Sequence, residues 1–177
     1  MIRIPGFSAA RREEILLSVR PGYVALTLLL ALLLNILPLS GAWLALRPDF
    51  VALALLYWGI EHPRRVGFLP AFLLGLAMDV ADGSLFGQHA LAYSVLMFAA
   101  IAVHRRVAMF GMRDQMLHVL GILLVCQLVV LGVRHAAGGA FPGWWYFLSS
   151  ATGAAAWPFA RHLIAAPLHP RTGPQDI

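Results

Sequence analysis

Arg64–Leu91 reads RRVGFLPAFLLGLAMDVADGSLFGQHAL, and its spacing decides how the chain is built. Small residues recur every fourth position at Gly67, Ala71 and Gly75. Asp79 takes the next place, and Gly83 and Gly87 continue the count. Positions four apart on a helix lie nearly above one another. Gly67, Ala71, Gly75 and Asp79 thus form a narrow groove ending in a carboxylate. In a membrane, small-xxx-small spacing marks a face that another helix backbone can approach closely. Four residues overshoot a 3.6-residue turn by about 40°, so the stripe drifts around the axis. DVADG is a turn signal. The stretch therefore reads as a short helix over Val66–Val80, an outward turn at Asp79–Gly83, and the start of a further helix.

The composition agrees. Of 177 residues, 60% are hydrophobic and 12% charged; the mean hydropathy is +0.79. Soluble domains carry about 25% charge, so this is a polytopic membrane protein with no room for a separate soluble domain. All 13 basic residues are arginine and the net charge is +5. That balance suits an anionic membrane surface. Nucleic acid is excluded, because no basic stripe is interleaved with aromatics. The single Cys126 lies in an apolar run and allows no internal disulfide.

Outward from the central stretch, six apolar segments are expected. Residues 1–20 form a basic leader, with a short surface helix suggested by Glu13 and Glu14 beside Ile15, Leu16, Leu17 and Val19. Tyr23–Leu39 is the first run; five more follow, so it reads as an anchor and not a signal peptide. Arg47-Pro48-Asp49 opens the second helix, with proline at its first position and an acid in its first turn. That helix ends at Glu61 and is short for a hydrocarbon core of about 30 Å. Either Arg47 and Glu61 snorkel, or the helix begins near Trp43, or it is re-entrant. The third segment, Val66–Val80, is also short and contains Pro70. The fourth covers Leu85–Val103 and the fifth Gln115–Val133. The sixth runs from an aromatic belt at Trp144–Phe147 to Ile164, with a kink expected at Pro158. The transmembrane domain thus spans 21–165, and the polar tail, 166–177, is expected to be disordered.

Six spans put both termini on one side. With that side cytoplasmic, Arg3, Arg11, Arg12, Arg20, Arg64, Arg65, Arg105, Arg106, Arg113, Arg161 and Arg171 lie inside. Only Arg47 and Arg134 lie outside, a strong positive-inside bias.

Chemistry-bearing residues are few. Asp79 is the most informative, because an ionisable residue in a span is a functional hypothesis by default. Its place beside Asp82 and Gly83 points to the outer boundary, where it orders a loop or meets a partner. An outer-side polar pair of Arg47 with Asp79 is expected. Ser149-Ser150 stands beside no base, and Asp79 has no second intramembrane aspartate, so proteolysis finds no catalytic set. His89, His104, His118, His135 and His162 are scattered near helix ends with no ligand pair. Asn35 and Gln127 sit within helices and are expected to bond between helices. No phosphate loop is present. No catalytic, cofactor or metal residues are assigned, and the packing candidates are Gly67, Ala71, Gly75, Asp79, Gly83 and Gly87.

Four elements carry a resemblance. They are Arg47-Pro48-Asp49 before a run ending in Tyr57-Trp58; Pro63-Arg64-Arg65-Val66-Gly67; Gly75-Leu76-Ala77-Met78-Asp79-Val80-Ala81-Asp82-Gly83-Ser84-Leu85-Phe86-Gly87 with Ala90-Leu91; and Trp157-Pro158. In this order and spacing they resemble the rod shape-determining protein MreD family, from about Arg47 to Arg161. The resemblance implies a non-enzymatic subunit of the cell-elongation machinery in the bacterial cytoplasmic membrane, which makes peptidoglycan. It implies a periplasmic scaffold partner, MreC, and through it MreB filaments, the glycosyltransferase RodA and its transpeptidase. It implies no cofactor. The implied fold is similar to the substrate-binding subunits of energy-coupling-factor transporters. That likeness supplies an alternative, a small-molecule-binding subunit of a transporter, which fold analogy alone does not establish. A ligand site would need convergent polar groups, and the sequence offers few.

Overall fold

A computed structural model describes residues 20–168 except 39, 42, 43 and 45. The leader before Arg20, the tail after Leu168 and the alternative start at Trp43 lie outside the described residues. Among the described residues six α-helices form one bundle: α1 Pro21–Ile36, α2 Phe50–Glu61, α3 Phe68–Ala81, α4 Gln88–Met109, α5 Met112–Ala136 and α6 Leu148–Ala165. A 3-10 turn at Trp144–Phe147 leads into α6, and another at Ala166–Leu168 follows it.

The bundle is built around α2. Every residue from Val51 to Ile60 is buried. An all-apolar run without a polar face has to be enclosed on every side; here α1, α4 and α6 enclose it. With 12 residues it spans about 18 Å at 1.5 Å per residue. Its flanks face protein on every side. Trp58 is fully buried, and its indole N–H donates to Thr27 Oγ1 on α1 at 3.0 Å. Gly59 is the point of closest approach to α4. A Cβ there would lie 2.8 Å from that of Ala100.

Both ends of α2 carry charge. Asp49 caps the N-terminus, accepting from Ala52 N at 2.9 Å. Glu61 sits at the C-terminus, where the helix dipole disfavours a carboxylate. Arg161 of α6 meets it at 2.7 Å. Arg161 also donates to Gln115 Oε1 on α5 at 2.9 Å, and Trp157 donates to the same oxygen at 3.3 Å. One arginine thus ties α2, α5 and α6 at this end.

Helices α4 and α5 are long and apolar enough to cross a membrane, at 22 and 25 residues. Helices α1, α2 and α3 are apolar but shorter. The segment boundaries differ from the sequence expectation by a few residues at most ends, and most at α4. Leu85 belongs to the turn before α4, and α4 continues past Val103 through His104, Arg105 and Arg106 to Met109. Pro158 lies within α6, which runs on to Ala165.

The small-residue stripe on α3 is filled from within the chain. Ala71 and Gly75 are buried. A Cβ added to Gly75 would stand 2.3 Å from Ala90 Cα and 2.5 Å from its nitrogen. The close approach read from the spacing is real, but the backbone that uses it belongs to α4. Gly67 caps α3 with nothing within 4 Å of an added Cβ. Gly83 and Gly87 lie in the α3–α4 turn with φ of +58° and +98°, the left-handed region that glycine tolerates.

Gly75→Leu is therefore expected to unfold the chain itself. Overpacking against backbone costs on the order of 3 kcal/mol, read as a lower thermal midpoint of the purified protein in detergent. Gly67→Leu should leave the midpoint unchanged. Equal midpoints for both variants would mean that α3 and α4 do not pack as described.

Candidate functional site

One end of the bundle gathers the polar residues. It comprises the end of α1, the start of α2, the end of α3, the start of α4, the last half of α5 and the start of α6. Three hydrogen-bonded groups build it.

The first centres on Asp49. Its Oδ1 accepts from Asn35 Nδ2 at 2.8 Å besides the α2 cap, and its Oδ2 accepts the Tyr93 hydroxyl at 2.8 Å. Asn35 returns the bond, since its Oδ1 accepts from Phe50 N at 2.9 Å. Asn35 and Tyr93 are buried, on α1 and α4. A helix N-terminus and three donors face this carboxylate. Arg47 donates to the carbonyls of Asn35 and Leu37, capping the C-terminal end of α1 with positive charge.

The second centres on Asp79, which is 1% exposed. It accepts from Gly87 N at 2.7 Å, His89 N at 2.8 Å and the Ser84 hydroxyl at 3.0 Å. His89 Nδ1 lies 2.9 Å from the same carboxylate. Asp79 thus shapes the turn and the first residues of α4. It orders a loop, as expected, but as a buried acceptor and not as an exposed group.

The expected Arg47–Asp79 pair is not formed. Arg47 is committed to α1 carbonyls, and Asp79 to the turn that follows it. Both lie at the same end, so the sequence placed them at the right level, but each satisfies the backbone nearest to it. A helix end offers several aligned dipoles at short range, and a lone distant charge offers one.

The third group joins α5 and α6. Gln127 Nε2 donates to the Tyr146 carbonyl at 2.9 Å and to Ser149 Oγ. The Ser150 hydroxyl donates to Gln127 Oε1. The interhelical role expected of Gln127 is met by the serine pair.

These groups surround a cavity of about 220 Å3. Asn35, Asp49, Tyr93, Gln127 and Ser150 contribute to its lining, as do Leu123, Cys126 and Val130. The convergent polar groups that seemed scarce in the sequence are present. They come from different helices and were invisible one at a time. His89 and Tyr93 were missed as site residues. The available signal was position: His89 follows the turn that Asp79 begins, and Tyr93 is one helical turn beyond it.

The Asp49 group holds the start of α2 in place. Asp49→Ala removes the cap and strands the Asn35 amide and Tyr93 hydroxyl, an expected cost of about 3 kcal/mol. Tyr93→Phe removes one bond, about 1 kcal/mol. Thermal unfolding in detergent, with the double variant completing a cycle, measures both. If Asp49→Ala cost no more than Tyr93→Phe, the carboxylate would not be the hub.

Comparison with known proteins matches the same elements. No solved structure matches the chain. A rod shape-determining protein MreD from Haemophilus influenzae is 28% identical over 130 residues, covering 73% of this chain and 80% of the relative. The family description "rod shape-determining protein MreD" matches residues 20–166. That match runs from the residue before α1 to the residue after α6, through the buried helix and both of its pinned ends, and this chain belongs to the MreD family.

Proposed function

We propose that the protein is a non-catalytic membrane scaffold of the cell-elongation complex, and that it seats the transmembrane helix of an MreC-like partner. Membership of the MreD family ties the chain to the determination of rod shape. The finer reading makes it a six-span protein of the bacterial inner membrane with both termini in the cytoplasm. MreB filaments, RodA and its transpeptidase are then reached through the MreC-like partner and the surrounding lipids.

The observation that supports partner binding is the unfilled face between α1 and α3. These helices have 16 and 14 residues, about 24 and 21 Å long, and they touch one another sparsely. Between them lies an apolar groove of about 400 Å3 lined by Ala25, Leu28, Leu29, Pro70, Leu73 and Leu74. Phe68, Leu69 and Phe72 stand exposed beside it. Short helices perturb the bilayer unless another protein shelters them. The stripe of Ala71 and Gly75 serves this face from behind, by fixing α3 to α4.

Co-purification from membranes with a tagged MreC-like protein tests the proposal. Leu73→Trp, which fills the groove, should reduce recovery of the partner at least about tenfold, a difference of about 1.4 kcal/mol. Leu117→Trp on the exposed face of α5 should leave recovery intact. Full recovery with Leu73→Trp in a folded protein rules out the groove. Absence of the partner with the unaltered chain rules out the scaffold reading.

A further inference from the structure

We propose that the groove between α4 and α5 holds one tail of an anionic phospholipid, whose phosphate is met by Arg106 and Arg113. The proposal rests on the reading that these helices cross a membrane, and not on the partner groove between α1 and α3. The groove is open, apolar and about 430 Å3 in volume. It is lined by Ala99 of α4 and by Leu117, His118, Gly121, Ile122 and Val125 of α5. Gly121 makes the room. A Cβ added there would meet nothing within 4 Å, unlike one at Gly59 or Gly75. From Leu117 to Val125 the lining rises about 12 Å at 1.5 Å per residue. A helix crossing a hydrocarbon core of about 30 Å would overrun it, whereas a lipid tail needs only a slot.

Charge stands at one end of this slot. Arg106 follows Ala99 by seven residues, which on a helix returns to the same face within about 20°. Arg113 precedes Leu117 by four and lies nearly in line with it. The two arginines therefore extend the two walls of the groove toward the α4–α5 turn. Both are exposed, as is Arg105, and none of the three forms an ion pair among the described residues. Asp114 is the acid of this turn, and it sits in the first turn of α5, where the helix dipole suits it. A guanidinium without a carboxylate presents a fork of N–H donors that fits phosphate oxygens. Between the charges the turn is apolar: Met109 is 79% exposed, and Phe110 and Met112 stand exposed beside it. An apolar patch rimmed by charge marks contact with a membrane or a protein. An apolar slot that ends in paired cations selects the membrane, with the tail in the slot and the phosphate at the arginines.

The full chain in a nonionic detergent is titrated with phosphatidylglycerol, and the thermal midpoint is read. Phosphatidylcholine serves as the neutral lipid and inorganic phosphate as the free anion. Arg106→Gln with Arg113→Gln removes the charges without touching a bond that holds the fold. Gly121→Leu fills the slot, entering empty space and favouring the helix. Arg64→Gln with Arg65→Gln, two exposed arginines of the α2–α3 turn, removes the same charge elsewhere. Each variant is compared with its own lipid-free midpoint. Phosphatidylglycerol should raise the midpoint of the unaltered chain. Half-saturation should move at least about tenfold higher in the Arg106 and Arg113 variant, the rise should vanish in Gly121→Leu, and the Arg64 and Arg65 variant should match the unaltered chain. Partner recovery through α1 and α3 should be indifferent to all three, so this proposal and the scaffold reading fail separately. Equal losses in the two arginine variants would mean diffuse attraction and overturn the site. So would an equal response to phosphatidylcholine or inorganic phosphate, a rise that survives Gly121→Leu, or no response to phosphatidylglycerol.

Discussion

A helix of 12 residues buried on every side imposes a condition on everything around it. Its flanks can be closed by apolar packing, but its ends cannot. Four N–H groups and four carbonyls stay unpaired at the termini of any helix, and here both termini are half-buried. Asp49 caps one end; at the other His62 N–H donates to the Trp58 carbonyl, and Arg161 neutralises Glu61. The residues that gather around these two carboxylates define the two polar levels of the protein. The cavity, the Asn35–Tyr93 bridge and the Gln115–Trp157 contact are all arrangements of groups drawn to those levels.

The interior also separates two tasks that looked like one. A stripe of small residues suggested a face for another protein. Gly75 shows that the nearest backbone, that of α4, already fills it. An apolar groove is left between α1 and α3, which no other helix among the described residues covers. Holding a short helix upright and offering its other side outward are complementary acts, and α3 does both.

How far the sequence could be read depended on the range of the interaction. Six helices were legible because apolar runs, arginine-rich breaks and turn dipeptides are local. The DVADG turn and the role of Asp79 in it were legible for the same reason, since its partners Ser84, Gly87 and His89 follow within ten residues. The short second segment was legible as a problem but not as a solution. Length said that α2 was short for the bilayer, and nothing local said that α1, α4 and α6 would wrap it. The Arg47–Asp79 pair was inferred from level alone and failed, because helix-end carbonyls lie closer. The cavity was hidden altogether. Asn35, Tyr93, Gln127 and Ser150 are ordinary where they stand in the chain and become a site only when their helices meet.

The wrapping of α2 by α6 reaches into how the chain is made. The second helix leaves the ribosome early, and the helix that completes its enclosure, together with the arginine that neutralises Glu61, is the last to emerge. Until then one flank of α2 and one charged end lack their final contacts. Insertion into the membrane and completion of the core are therefore separate events in time, and the second waits on the C-terminal quarter of the chain. A nascent chain stopped after α5 would hold five helices and still lack a closed core.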